Sequence, residues 1–366
     1  MDADSAPIAI ELKPTSRPTS ARDRAEVLRA PGFGTYFTDH MVVIEWEQGR
    51  GWYDGELRPY GSFTFDPAAA VVHYAQSIFE GYKAYRQPDG SIRTFRPDAN
   101  GRRMQRSAYR MALPELPVET FVEAGDVLVR TDREWVPEGA GRTLYIRPYM
   151  FASETFLGVR PSQHVTFCCI ASPAGSYFKD GVKPVSIWVT REFTRAAPGG
   201  TGAAKCAGNY AASLVAQREA LRHGCEQVVF LDAVERRWVE ELGGMNIFFV
   251  LADGTLVTPP TSGTILEGIT RDSLIQLAKD DGRTVDERPV SLDEWRDGAA
   301  SGAISEVFAC GTAAVLTPIG RLCWDGGELD CAPSGEGPVT RGLREALVGI
   351  QTGTAPDTHG WLHQVC

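Results

Sequence analysis

Apolar positions along this chain recur at two spacings, and each spacing predicts a different element. Runs with strand character cover Met41 to Trp46, Thr143 to Ala152, His164 to Ser172 and Val185 to Thr190. Val228 to Leu231, Ile247 to Leu251 and Val307 to Cys310 are short unbroken apolar runs, as expected of strands covered on both faces. Tyr82 to Arg86 and Ile92 to Arg96 flank Pro88-Asp-Gly90, a hairpin signal because Gly90 can take a positive φ. Ala252-Asp-Gly-Thr255 turns a second hairpin. Helical spacing runs from Asp98, an expected N-cap, to about Met111, and again over Val118 to Arg133, Asn209 to Arg222, Thr270 to Lys279 and Thr340 to Ile350. Strands outnumber long helices in both halves, so an α+β fold is expected in place of a doubly wound sheet.

At 366 residues the chain is long for one core, and two domains are expected. Pro173-Ala-Gly-Ser-Tyr177 is a turn-rich break. The expected plan is a polar, loosely ordered arm over 1–30, a first domain over 31–177, a linker over 178–184 and a second domain over 185–366. No internal repeat or low-complexity tract occurs. A formal charge of -10 argues against a broad nucleic-acid face but leaves room for a local basic pocket. The eight cysteines contain no C-x-x-C, so reduced thiols are expected in place of disulfides or zinc. His359 and His363 have i, i+4 spacing without an accompanying ligand motif, and no metal site is expected. No run approaches the ~20 apolar residues of a membrane span. The first thirty residues have no apolar core of a secretory signal. The expectation is therefore a cytoplasmic protein.

Candidate chemistry concentrates between Arg195 and Arg271. Lys205 stands among small residues in Gly199-Gly-Thr-Gly-Ala-Ala-Lys205-Cys-Ala, where a ligand can approach closely. A P-loop would need Gly-Lys-Ser/Thr, and Ala204 and Cys206 do not supply it. Glu240 and Glu241 precede a Gly-Gly step. On a strand they point to opposite faces, so one is expected to reach a buried ligand and the other to face water. Gly268-Ile-Thr270 opens a helix, whose N–H groups and positive dipole end favour an anion.

The spacing of Glu241, Gly243, Asn246, Thr258, Gly268, Ile269 and Arg271 resembles the fold type IV family of pyridoxal-phosphate enzymes. Within it, Lys205-Cys-Ala-Gly-Asn-Tyr210 and Phe33-Gly-Thr-Tyr-Phe-Thr-Asp-His-Met41 look like branched-chain amino-acid aminotransferase, and the likeness runs from about Pro31 to the last residues. The resemblance implies a smaller N-terminal α/β domain and a larger C-terminal domain with a pseudo-barrel of strands. It also implies pyridoxal 5'-phosphate as cofactor and a Schiff-base mechanism that transfers an amino group between leucine, isoleucine or valine and 2-oxoglutarate, giving glutamate and the 2-oxo acids. By the same resemblance Lys205 is the amine that binds the cofactor, Glu241 meets its ring nitrogen, and Tyr210 donates to its phenolic oxygen. Arg103, Ile269, Thr270 and Thr312 would hold the phosphate, and Arg195 would line the same pocket. Arg102 competes with Arg103 on spacing, and the match of Asn100-x-x-Arg103-Met104 favours the latter.

For the substrate the resemblance points to Phe33, Tyr74, Phe79, Tyr145 and Tyr177 as an apolar wall, with Gly244, Ala313 and Ala314 beside it. Arg147 is either a receiver for the second carboxylate of 2-oxoglutarate or one half of a structural ion pair. Leu157-Gly-Val159 resembles a loop that reaches the neighbouring subunit's pocket, which implies a homodimer. Two departures stand out. Mammalian members carry a redox C-x-x-C where this chain has Ala314 and Thr317, so no thiol switch is expected there. A Thr of those members is Gly244 here. A D-amino-acid transaminase or an aminodeoxychorismate lyase on the same scaffold is the alternative reading, and a non-catalytic phosphate-ligand binding protein is a third.

Overall fold

The computed structural model describes residues 8–175, 182–331 and 335–366, and the chain separates into two units, each with its own sheet. Unit 1 comprises Met1–Tyr177, Ala204–Ala207 and Ile350–Cys366; unit 2 comprises Phe178–Ala203 and Gly208–Gly349. The two-domain α+β plan is present. Tyr177 and most of the expected linker lie outside the described residues.

In unit 1 the strands are β1 (Ile10–Leu12), β2 (His40–Glu47), β3 (Gly51–Pro59), β4 (Ser77–Phe79), β5 (Tyr82–Arg86), β6 (Ile92–Phe95), β7 (Thr143–Ala152) and β8 (His164–Ala174). They are ordered β1-β3-β2-β8-β7-β5-β6, and Leu362–Gln364 closes the far edge antiparallel to β6. Pairing this edge satisfies backbone groups that an open strand would leave as a template for association. It also brings the last residues of the expected second domain into unit 1. Helices α1 (Ala21–Arg29), α2 (Ala70–Tyr74), α3 (Pro97–Arg110) and α4 (Val118–Thr131) accompany the sheet. Phe121, Ala124 and Leu128 of α4 repeat at i, i+3, i+7 and pack on Tyr82, Ile146 and Phe167 in one buried cluster. Gly90 takes the φ of +83° that the β5–β6 turn requires.

Two details differ from the sequence reading. The expected loose arm holds β1, which pairs in parallel with β3, and α1, where the Ser20 side chain accepts a hydrogen bond from the Asp23 N–H. Asp98 is not the cap of α3: Arg96, with φ +49°, occupies that position, and Pro97 opens the helix, where its missing N–H costs nothing.

Unit 2 carries β9 (Val185–Thr190), β10 (Gln227–Leu231), β11 (Val239–Leu242), β12 (Asn246–Leu251), β13 (Leu256–Thr258), β14 (Val285–Glu287), β15 (Ile304–Gly311), β16 (Val315–Trp324) and β17 (Gly327–Asp330). Their order is β11-β10-β9-β16-β15-β12-β13-β14, with β17 on β16. Helices α5 (Ala207–Arg222), α6 (Ile269–Asp280), α7 (Leu292–Ser301) and α8 (Pro338–Gln351) complete the chain. Phe248 and Phe249 of β12 are both fully buried, so neighbouring residues on opposite faces of this strand are covered, as its unbroken apolar run demands.

Candidate active site

Within unit 1, Lys205 sits on a short segment tied to the sheet and to α3. The Phe79 N–H donates to the Lys205 carbonyl at 3.0 Å, and the Lys205 N–H donates to Ser107 Oγ at 3.0 Å. The next residue, Cys206, bridges to Ile78. The Lys205 ammonium lies 4.8 Å from the centre of the Phe79 ring. Burial, helped by the nearby Arg103 charge, lowers its pKa to about 8 against the opposing pull of Glu80. A substantial fraction of this amine is therefore neutral near pH 8, the form a nucleophile or proton acceptor needs.

Arg103 is buried on α3 and grips Glu80, with Nε to Oε1 at 2.8 Å and Nη2 to Oε2 at 2.7 Å. Asn100, Arg103, Met104 and Ser107 share the buried face of the helix. Arg102 points outward and pairs with Asp98 at the surface.

Beside this pair, Arg147 on β7 donates from Nη2 to the Tyr145 hydroxyl at 3.2 Å and stands 4.9 Å from the Phe79 ring centre. Its Nε is buried with no hydrogen-bond partner, and it has no acidic partner among the described residues. Phe33 meets Tyr145 edge to face at 5.0 Å. The Tyr145 hydroxyl occupies the space above Gly81, where an added Cβ would lie only 1.9 Å from its oxygen. Phe33, Phe79, Tyr145, Arg147 and Lys205 thus form one aromatic and cationic cluster. Tyr74 lies elsewhere: its hydroxyl donates to the Leu157 carbonyl at 2.6 Å, and Tyr74, Leu157 and Val159 are exposed.

Unit 2 gathers a second set. Arg195 Nη1 is 2.6 Å from Glu241 Oε1, and both side chains are buried. Arg195 is further fixed by donating to the carbonyls of Thr264 at 2.8 Å and Gly202 at 3.2 Å. Asn246 Nδ2 donates to the Leu266 carbonyl at 3.0 Å and lies 3.4 Å from Glu241 Oε2. Its Oδ1 takes the space above Gly268, where an added Cβ would approach to 1.9 Å. Gly268 is the N-cap of α6, and no described side chain caps the N–H groups of Ile269 and Thr270 behind it. Asn246 also pairs with Cys310 across β12 and β15, two residues before the turn of Thr312, Ala313 and Ala314. Glu241, the α6 N-terminus and this turn therefore share one end of the unit 2 sheet. Gly244 is exposed, and a methyl group there would contact the Tyr210 ring at 3.6 Å.

Glu240 departs from expectation. It is buried, it accepts a hydrogen bond from the Thr264 hydroxyl at 2.5 Å, and burial raises its pKa. Strand alternation does put it opposite Glu241, but β11 is covered on both faces. Glu80 and Ser107 were not singled out from sequence, because their partners lie 23 and 98 residues away.

The family described as Amino-transferase class IV matches residues 77–322, well over half the length. The chain belongs to the class IV aminotransferases. It is 56% identical over 355 residues to a probable branched-chain-amino-acid aminotransferase of Streptomyces coelicolor, covering 97% of this chain and 98% of that one. The Escherichia coli branched-chain amino acid aminotransferase crystal structure is similar with a TM-score of 0.74 and 31% identity, over 88% of this chain and 99% of that one. The branched-chain amino acid aminotransferase of Thermobaculum terrenum in its PLP-form gives a TM-score of 0.71 at 25% identity, over 89% and 98%.

The cofactor of this class is pyridoxal phosphate, and the residues present fit it. Unit 1 offers a part-neutral lysine beside the buried Arg103; unit 2 offers a buried carboxylate and an uncapped helix N-terminus.

Proposed function

We propose that this chain is a branched-chain amino-acid transaminase, moving an amino group between leucine, isoleucine or valine and 2-oxoglutarate. The observation that carries the reading is Arg147, an arginine with a buried, unpartnered nitrogen inside an otherwise aromatic cluster beside a lysine of lowered pKa. Phe33, Phe79 and Tyr145 give a branched aliphatic side chain an apolar wall. Arg147 gives the second carboxylate of 2-oxoglutarate a planar pair of donors in the same place. One pocket can then serve both partners of the exchange.

Bound pyridoxal phosphate supplies a carbonyl that condenses with amines and a ring that withdraws electrons from the substrate Cα. In this reading Lys205 Nζ anchors the cofactor and, once released by the incoming amine, accepts and returns the Cα proton. Glu241, held by Arg195, would keep the ring nitrogen protonated, and Tyr210 would donate to the phenolic oxygen. Arg103, the N–H groups of Ile269 and Thr270, and the Thr312 turn would carry the phosphate; for the turn, Ala313 and Ala314 leave the backbone accessible. Tyr177 would complete the substrate residues, and the exposed Tyr74, Leu157 and Val159 would act in the pocket of a partner subunit of a cytoplasmic homodimer. Light scattering at twice the chain mass supports the dimer, and a monomer mass rejects it. Among the described residues, no helix is long and apolar enough to cross a membrane.

The test is a panel of amino donors with 2-oxoglutarate, reading kcat/KM for each. Leucine, isoleucine and valine should exceed alanine by at least about tenfold, since each buried methylene is worth roughly 1 to 3 kcal/mol in such a pocket. Equal rates for alanine or for D-leucine would reject the reading.

A further inference from the structure

Hydrogen bonds, one turn of α3 and the Phe79–Glu80 peptide link together connect five residues of unit 1 in a loop. Phe79 N–H donates to the Lys205 carbonyl, Lys205 N–H donates to Ser107 Oγ, and Ser107 lies one helical turn beyond Arg103 on α3. Arg103 then grips Glu80, the residue after Phe79, through two charge-assisted bonds. Glu80 is fully buried and is itself held: its N–H donates to the Pro148 carbonyl at 2.7 Å, and the Gly81 N–H donates to its Oε2 at 3.3 Å. The charges of Arg103 and Arg147 both disfavour a protonated Lys205, and Glu80 is the carboxylate that opposes them there.

We propose that Glu80 is a positioning residue of the active site, which fixes the plane of the Arg103 guanidinium for a phosphate and supplies the negative charge that lets Lys205 coexist with that arginine. The inference rests on the reading of Arg103 and Lys205 given above. Two parallel bonds to one carboxylate leave the guanidinium little freedom to rotate, so its plane is set before any anion arrives. A cation placed in advance loses less on meeting its anion than one that must be ordered first. A merely structural counter-ion would neutralise Arg103 and affect stability alone. A positioning residue does more: it changes what the site binds and how Lys205 titrates.

Glu80→Gln keeps the shape of the side chain, removes its charge and breaks one of the two bonds. In the full-length apoprotein, the dissociation constant for pyridoxal phosphate should rise roughly ten- to hundredfold, whereas that for pyridoxal, which lacks the phosphate, should change less than about threefold. The pH midpoint for borohydride-trapped labelling of Lys205 by pyridoxal should fall below that of the parent protein, because the charge that raises the lysine's pKa is gone. Glu80→Asp keeps the charge but shortens the reach. It should lose phosphate discrimination while holding the lysine midpoint, and it serves if the glutamine variant does not fold. Both affinities and the midpoint unchanged in a folded variant, or a midpoint that rises, would overturn the proposal. Arg103→Gln separates the two levels. If it weakens pyridoxal phosphate while Glu80→Gln does not, only the role of Glu80 falls. If Arg103→Gln has no effect, the assignment of Arg103 falls and this inference with it.

Discussion

Among the described residues, each unit of the molecule buries an arginine–glutamate pair of similar tightness, and the two pairs are read with opposite polarity. In unit 1 Arg103 is the member assigned to a ligand and Glu80 supports it, with contacts of 2.7 and 2.8 Å. In unit 2 Glu241 is assigned to a ligand and Arg195 supports it, with a contact of 2.6 Å. The pairing alone does not distinguish these roles, because burying two charges together is close to neutral for stability, and only breaking the pair is expensive. Backbone anchoring is common to both pairs: the Glu80 carboxylate accepts from the Gly81 N–H, Arg195 donates to two carbonyls, and Glu241 accepts from the Leu266 N–H at 3.4 Å. The roles are therefore separated by ligand, the phosphate for Arg103 and the ring nitrogen for Glu241 in the proposed reading.

The sharpest way to break this comparison is Arg195→Gln. Removing the cation strands the Glu241 carboxylate in a buried site, and urea unfolding should show a loss of about 3 to 5 kcal/mol. Its ligand signature should differ from that of Glu80→Gln: affinity for pyridoxal phosphate and for pyridoxal should fall in parallel, since the ring, present in both, is what Glu241 is assigned to. A loss confined to the phosphate-bearing ligand would place Arg195 in the wrong role. The smallest effect is expected next door to Arg103. Arg102→Ala removes an exposed i, i+4 contact with Asp98, and both unfolding free energy and cofactor affinity should stay within about 0.5 kcal/mol of the parent. A larger loss would mean that the two adjacent arginines had been assigned the wrong way round.

The choice between those neighbours was legible only through the resemblance carried by Asn100-x-x-Arg103-Met104, since spacing left both open; in the fold Asn100, Arg103, Met104 and Ser107 share the buried face of α3. The strands from Thr143 to Ala152 and from Val185 to Thr190 were legible to the residue, their apolar runs being bounded by polar or turn-forming positions. Glu240 was not, because strand alternation separates two faces but does not say whether the second is open to water. The helix Ala21–Arg29 was overlooked within a polar arm, although Ser20-x-x-Asp23 carries its capping signal. Glu80 was beyond reach of local reasoning, since a single carboxylate acquires meaning only from an arginine on another element. The buried Arg147 Nε without a hydrogen-bond partner among the described residues, which favours a ligand over an ion pair, is likewise a property of the folded chain.

The central claim is that Lys205 carries the cofactor, and the direct measurement is borohydride reduction of the pyridoxal-phosphate-loaded protein followed by peptide mass mapping. Lys83 makes the map discriminating: it is buried, and burial lowers its pKa, like that of Lys205, to about 8. The account predicts the added phosphopyridoxyl mass on the peptide containing Lys205 alone. The same mass on Lys83, or on any lysine other than Lys205, would contradict it.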